Sequence, residues 1–178
     1  GGDLDSQPRS HPHFANVTVI SSPSHGEDAL RLREGTGGDF RNYIIHGAND
    51  GVRNDENGSE VVTQDWATAE AAGHPDYLYI SGSIIMNGLA DVPWDDFDEE
   101  GDGTWTGTYV SESVGLSISV DADGMPEMLD VTPTLGGIAY EGVDEVIEDD
   151  FFEQVNYKGA FGSHNWMEEW SGMMSYVT

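Results

Sequence analysis

The chain has 178 residues, enough for one domain with its own core, and 37% of them are apolar, including five Trp, seven Tyr and six Phe. Thirty-four Asp and Glu stand against six Lys and Arg, a formal charge of -28 that repels phosphate backbones and anionic lipid and so argues against nucleic acid and membrane partners. With no Cys there is no disulfide, no zinc–thiolate site and no cysteine nucleophile, and no apolar run approaches the roughly 18 residues of a membrane span.

The charge is uneven. Residues 1–53 hold seven acids and five Arg, net -2, while residues 54–178 hold 27 acids and Lys158 alone, net -26. Self-repulsion on this scale destabilises a compact state unless it is screened, so the expected surroundings are strong salt, with a Debye length of roughly 3 Å at 1 M, or abundant divalent metal such as Ca2+. The opening Gly1-Gly2-Asp3 carries no signal-peptide pattern and reads as the middle of a loop, as though a longer precursor had been cut there.

In chain order, short β-prone runs recur between turn residues: Val17 to Ile20, Ala29 to Leu32, Tyr43 to His46, Gly51 to Arg53 and Val61-Val62. Val17 and Val19 alternate with Thr18, and Leu30 and Leu32 with Arg31 and Arg33, which sends one face inward and the other into water. Three such strands per turn, joined by tight Gly, Asn and Asp corners, predict a β-solenoid over 1–62. A short helix is predicted over Gln64 to Ala72, capped by Thr63 and ended by Gly73. Tyr77 to Met86, Thr104 to Val110 and Val114 to Val120 predict a second β region, so 63–142 reads as a β-rich insertion or as continuing coils. Val143, Val146, Ile147, Phe151 and Val155 fall at helical spacing. A helix and an aromatic end-cap are therefore expected over 143–178. An antiparallel β-sandwich is the alternative architecture.

Two stretches resemble a known family. Pro12-His13-Phe14-Ala15-Asn16-Val17-Thr18-Val19-Ile20, then Leu30-Arg31-Leu32-Arg33-Glu34-Gly35, Asn42-Tyr43-Ile44-Ile45-His46-Gly47 and Gly51-Val52, are similar to rungs of large secreted bacterial surface proteins of marine and Bacteroidetes-type organisms. The tail, Phe151-Phe152-Glu153-Gln154-Val155-Asn156-Tyr157-Lys158-Gly159-Ala160-Phe161-Gly162 with Trp166 and Trp170, resembles the phrase that closes many of those chains. The resemblance covers roughly residues 11–62 and 150–171. It implies a right-handed parallel β-helix, an extracellular or cell-surface location, and a C-terminal chain or fragment that assembles with itself or with an upstream chain.

Asp98, Glu100 and Asp102 before Gly103 imitate the first half of a calcium loop, in which alternate carboxylates wrap the ion. Position twelve, where a bidentate Glu belongs, is Tyr109, so an EF-hand is not expected; a looser Ca2+ site would use that loop or Asp121 and Asp123. Trp94 and Trp105 flank the loop and would stack on sugar rings if exposed, whereas burial is the common fate of indoles. Arg31 and Arg33 would meet an acidic sugar or a partner, or would form salt bridges along a sheet face. His11 and His13, two apart, would put both imidazoles on one side of an extended strand. Asn16-Val17-Thr18 fits the glycan acceptor pattern.

No nucleophile, base or paired-carboxylate arrangement stands out against 34 acids, and no lyase motif surrounds the arginines. The expectation is an extracellular structural or adhesive component without enzymatic activity. The alternative is a calcium-dependent module that binds polysaccharide.

Overall fold

The computed structural model describes residues 10–21, 28–54, 62–63, 66–72, 77–81, 84–95, 97, 107–120, 126–146 and 150–168. Its strands are short, and successive ones go to different sheets. The first three are β1 (His13–Ala15), β2 (Thr18–Ile20) and β3 (Asp28–Leu32), and the next three are β4 (Gly38–Arg41), β5 (Ile44–His46) and β6 (Asp50–Asn54). Then come β7 (Val62–Thr63), helix α1 (Trp66–Ala72), β8 (Leu78–Ile80), β9 (Ile84–Asn87), β10 (Trp94–Asp95) and β11 (Tyr109–Val110). A hairpin of β12 (Ser117–Val120) and β13 (Pro126–Asp130) and a 3-10 turn over Ile138–Tyr140 follow.

The first sheet has the order β1-β4-β8-β7, the second β11-β9-β5-β2 and the third β10-β6-β3. Every pairing in these three sheets is parallel. Antiparallel pairing occurs, among the described residues, only between β12 and β13. The molecule is therefore mainly β and built on parallel sheets, and the described residues do not form the facing antiparallel sheets that a sandwich requires. Among the described residues no helix is long and apolar enough to cross a membrane.

Parallel register stacks like on like. Phe14, Phe40 and Ile80 form one column, Val19, Ile45 and Met86 a second, and Leu30, Val52 and Trp94 a third. These columns converge on one core that includes Leu32, Phe40, Ile45, Val52, Ile80, Met86 and Phe97. The bend from the first sheet to the second is made by Asn16 and Asn42, one above the other, with φ of 56° and 57°. Asparagine suits that left-handed conformation better than most residues with a side chain.

The second sheet is covered on both sides. Ile44 and Ile85 point away from the core and pack against Val114 and Ala139, so the chain beyond β11 lies over that face. Ile20 likewise meets Leu129, Val131 and Phe161. On the outer face of the first sheet, Tyr77 and Tyr79 pack against Ala69 of α1. Double coverage explains the near-continuous apolar runs Tyr43-Ile44-Ile45 and Ile84-Ile85-Met86.

Two expectations need correction. Tyr77 to Met86 holds two strands in two sheets, β8 in the first and β9 in the second. The helix expected from Val143 is absent: the described residues at 143–146 and 150–155 are not helical. Their backbone groups bond elsewhere. Arg41 Nη1 donates to the Glu145 carbonyl, Asn42 exchanges two hydrogen bonds with the Asp144 backbone, and Val146 N–H donates to Gln154 Oε1 at 2.9 Å. Nor do the apolar positions share a buried side, since Val146 is buried while Phe151 is 85% exposed.

Candidate functional site

β1, β2 and β3 are terminal in their sheets, and all three lie at the same end of the stack. Among the described residues nothing pairs with their outer edges, and unpaired strand edges are templates for further strands. Phe14 makes the exposure plain: it stands in the inward column yet is 49% exposed, whereas Phe40 and Ile80 beneath it are 2% and 0% exposed. Its ring lies 5.8 Å from that of Phe40, and it lines a small cleft with His13, Asp39, Arg41, Val146 and Phe152.

Behind the cleft is a buried polar network. Arg41 grips Asp39 through two bonds, Nε to Oδ1 at 2.7 Å and Nη2 to Oδ2 at 2.8 Å, and both residues are buried. The guanidinium also lies 4.9 Å from the centre of the Tyr79 ring. Tyr79 donates its hydroxyl to Asp144 Oδ2 at 2.9 Å. Burial works against the Arg41 cation, but its bonds to Asp39 and the nearby charges leave its pKa above the ordinary value. Burial lowers the Lys158 ammonium, with Asp144 and Glu141 opposing that shift. Burial raises the phenols of Tyr43 and Tyr79, and Asp39 and Asp144 respectively add to the rise.

A pH dependence follows. The unfolded phenols ionise from 10.0 while the folded ones keep their protons to higher pH, so stability should fall as pH rises above 10. Lys158 acts oppositely in a lower window, between its depressed folded pKa and its unfolded value of 10.5, where deprotonation relieves its burial penalty and stability rises with pH. Urea midpoints taken from roughly pH 8 to 11 should trace both limbs, and Tyr79→Phe should flatten the upper one. An upper slope unchanged by that substitution would rule out Tyr79 as its source.

Asp98, Glu100, Asp102, Asp121, Asp123 and Trp105 fall outside the described residues. Trp94 is half-buried in the inward column and meets Phe97 edge to face at 5.7 Å, so it serves the core. Arg31 and Arg33 are exposed beside the third sheet. His11 and His13 do lie together, with rings 5.2 Å apart, and His13 Nδ1 is 3.9 Å from Asp39 Oδ2. Asn16 uses its amide to hold the Tyr157 carbonyl.

One cluster was not foreseen. Asp28, Asp50 and Asp95 come from three neighbouring strands and bring carboxylate oxygens within 4.8 Å of one another. Asp50 already accepts from Asn49 Nδ2 at 2.8 Å and from the Val92 N–H at 3.1 Å. Arg31 approaches Asp28 to 3.9 Å and Arg53 approaches Asp95 to 3.7 Å. Burial raises the Asp28 pKa, with Asp50 and Asp95 adding to the rise and Arg53 and Arg31 opposing it. Three carboxylates supply part of the six to eight oxygens that Ca2+ takes, and the two arginines already bring positive charge to the cluster.

Comparison of the chain with protein-family models, with curated proteins and with solved structures gives no match.

Proposed function

We propose that this chain is the closing part of a larger right-handed parallel β-helix and serves as a structural component of a bacterial surface, acting through shape, acidity and assembly. The observation that carries the reading is Phe14, an inward-column aromatic left 49% exposed beside three strand edges with which none of the described residues pairs. Such an end is a template for further parallel strands, and leaving it in water is costly. The charge pattern agrees with assembly at this end. It belongs to the segment of net charge -2, where a neighbour meets little repulsion, and not to the segment of -26.

Hydrogen exchange with sedimentation tests the reading. Edge amides of β1 to β3 should exchange far faster than amides of β4 to β6 in the free chain, and association with rising concentration should disappear in Phe14→Glu without loss of folded signal. A monomer whose β1 to β3 amides are protected as strongly as those of the second coil has no open end, and the reading fails.

A further inference from the structure

We propose that the groove between residues 143–146 and 154–157 binds a short run of uncharged sugar rings. It is a surface groove of about 560 Å3, lined by Val143, Glu145, Gln154, Val155, Asn156 and Tyr157. Small-molecule sites run from roughly 300 to 1,000 Å3, so the space suits a segment of an oligosaccharide. None of these residues belongs to β1, β2 or β3, so the groove exists whether or not a neighbour covers the open end.

The walls are set before any ligand arrives. On one side Arg41 Nη1 donates to the Glu145 carbonyl, and Asn42 exchanges two hydrogen bonds with the Asp144 backbone. On the other, Asn16 donates its amide to the Tyr157 carbonyl, and the Tyr157 ring lies so close over Gly162 that a Cβ there would fall 2.7 Å from Cε1. Gln154 joins the two: its Oε1 accepts from the Val146 N–H at 2.9 Å and its Nε2 donates to the Val155 carbonyl at 3.1 Å. A site held in this way loses little freedom on binding.

The side chains left over choose the ligand. The Glu145 carboxylate, the Asn156 amide and the Tyr157 hydroxyl have no hydrogen-bond or ion-pair partner among the described residues. The carboxylate only accepts, whereas the amide and the phenol donate and accept, so together they match groups that do both, as sugar hydroxyls do. Val143 and Val155 are half-buried and, with the Tyr157 ring, offer an apolar surface to the C–H face of a pyranose. Charge removes the competitors. Residues 54–178 carry a net charge of -26, which repels an acidic sugar. A simple cation is drawn to the same segment, yet it finds 27 acids there and has no use for an amide N–H, so nothing directs it to this groove.

Calorimetric titration of the full chain with neutral oligosaccharides, linear glucans and mannans of a few rings each, tests this. At least one should bind with a Kd of about 1 mM or below, and its affinity should hold in about 1 M salt. Glu145→Gln should weaken binding by about tenfold or more, since charge-assisted bonds are lost, and Asn156→Ala by several-fold. Both side chains are exposed, so both variants should keep the parental melting temperature. No uptake of any neutral probe overturns the proposal. Binding that both variants keep puts the sugar elsewhere on the chain and overturns the groove. Tighter binding of butylamine, lost in about 1 M salt and in Glu145→Gln, makes the occupant a cation and overturns the sugar.

Discussion

Replacing Arg41 with methionine should destabilise the fold by about 3–5 kcal/mol, the cost of leaving one partner of a buried ion pair without the other. Asp39 is 2% exposed and its two carboxylate oxygens are both taken by Arg41, so the substitution strands a charge that water cannot reach. It also removes the bond to the Glu145 carbonyl and the contact over the Tyr79 ring. The double change Asp39→Asn with Arg41→Met should recover much of the loss, because neither charge of the pair remains. Urea midpoints of the two variants and the parent measure this. If the single substitution costs under about 1 kcal/mol, the pair is screened as surface pairs are, and the network is not what holds this corner.

Substituting Gly159 by valine is the second large effect, at about 2–5 kcal/mol from backbone strain and overpacking together. Gly159 has φ of 81°, and a Cβ there would fall 2.6 Å from Ile44 Cδ1 and 2.7 Å from Thr18 Oγ1. The backbone is pressed against the second sheet because its neighbours bind it: Gly159 N–H donates to the Asn42 carbonyl at 2.8 Å and Ala160 N–H donates to Thr18 Oγ1 at 2.9 Å. A β-branched residue must lift this segment away. Exchange at the 158–160 amides should accelerate before that of the inward columns, and a variant with parental midpoint and exchange would show that the segment does not press on the sheet.

Much of the strand pattern was legible because alternation marks a strand with one wet face, as at Ala29 to Leu32, and an apolar run marks one covered on both, as at Tyr43 to Ile45. Val17 to Ile20, Ala29 to Leu32, Tyr43 to His46 and Gly51 to Arg53 overlap β2, β3, β5 and β6, and α1 occupies the short helical stretch. His13–Ala15 and Gly38–Arg41 gave no such signal, since the outward side of the first sheet carries a buried ionic network instead of a solvated face. The spacing of Val143 to Val155 misled for a related reason: side chains of Arg41 and Asn42, about a hundred residues away, bond to the backbone there. The Asp28, Asp50 and Asp95 cluster is likewise non-local. It exists only through strand register, and single acids carry no information in a chain with 34 of them. Phe14, the residue on which the functional reading turns, carries no mark in the sequence: it shares a column with Phe40 and Ile80 and differs from them in exposure, 49% against 2% and 0%.

Strands stacked in parallel ladders can fray from an edge, each needing only the next. Here a lateral tether crosses the ladders. Asn16 and Thr18 beside and in the edge strands, Asn42 one rung in and Tyr79 two rungs in all bond to the segment between Asp144 and Ala160. The edge strands cannot peel away without releasing the tether, and the tether cannot leave without uncovering the strands behind them, so loss of one rung at a time gives way to loss of all three together.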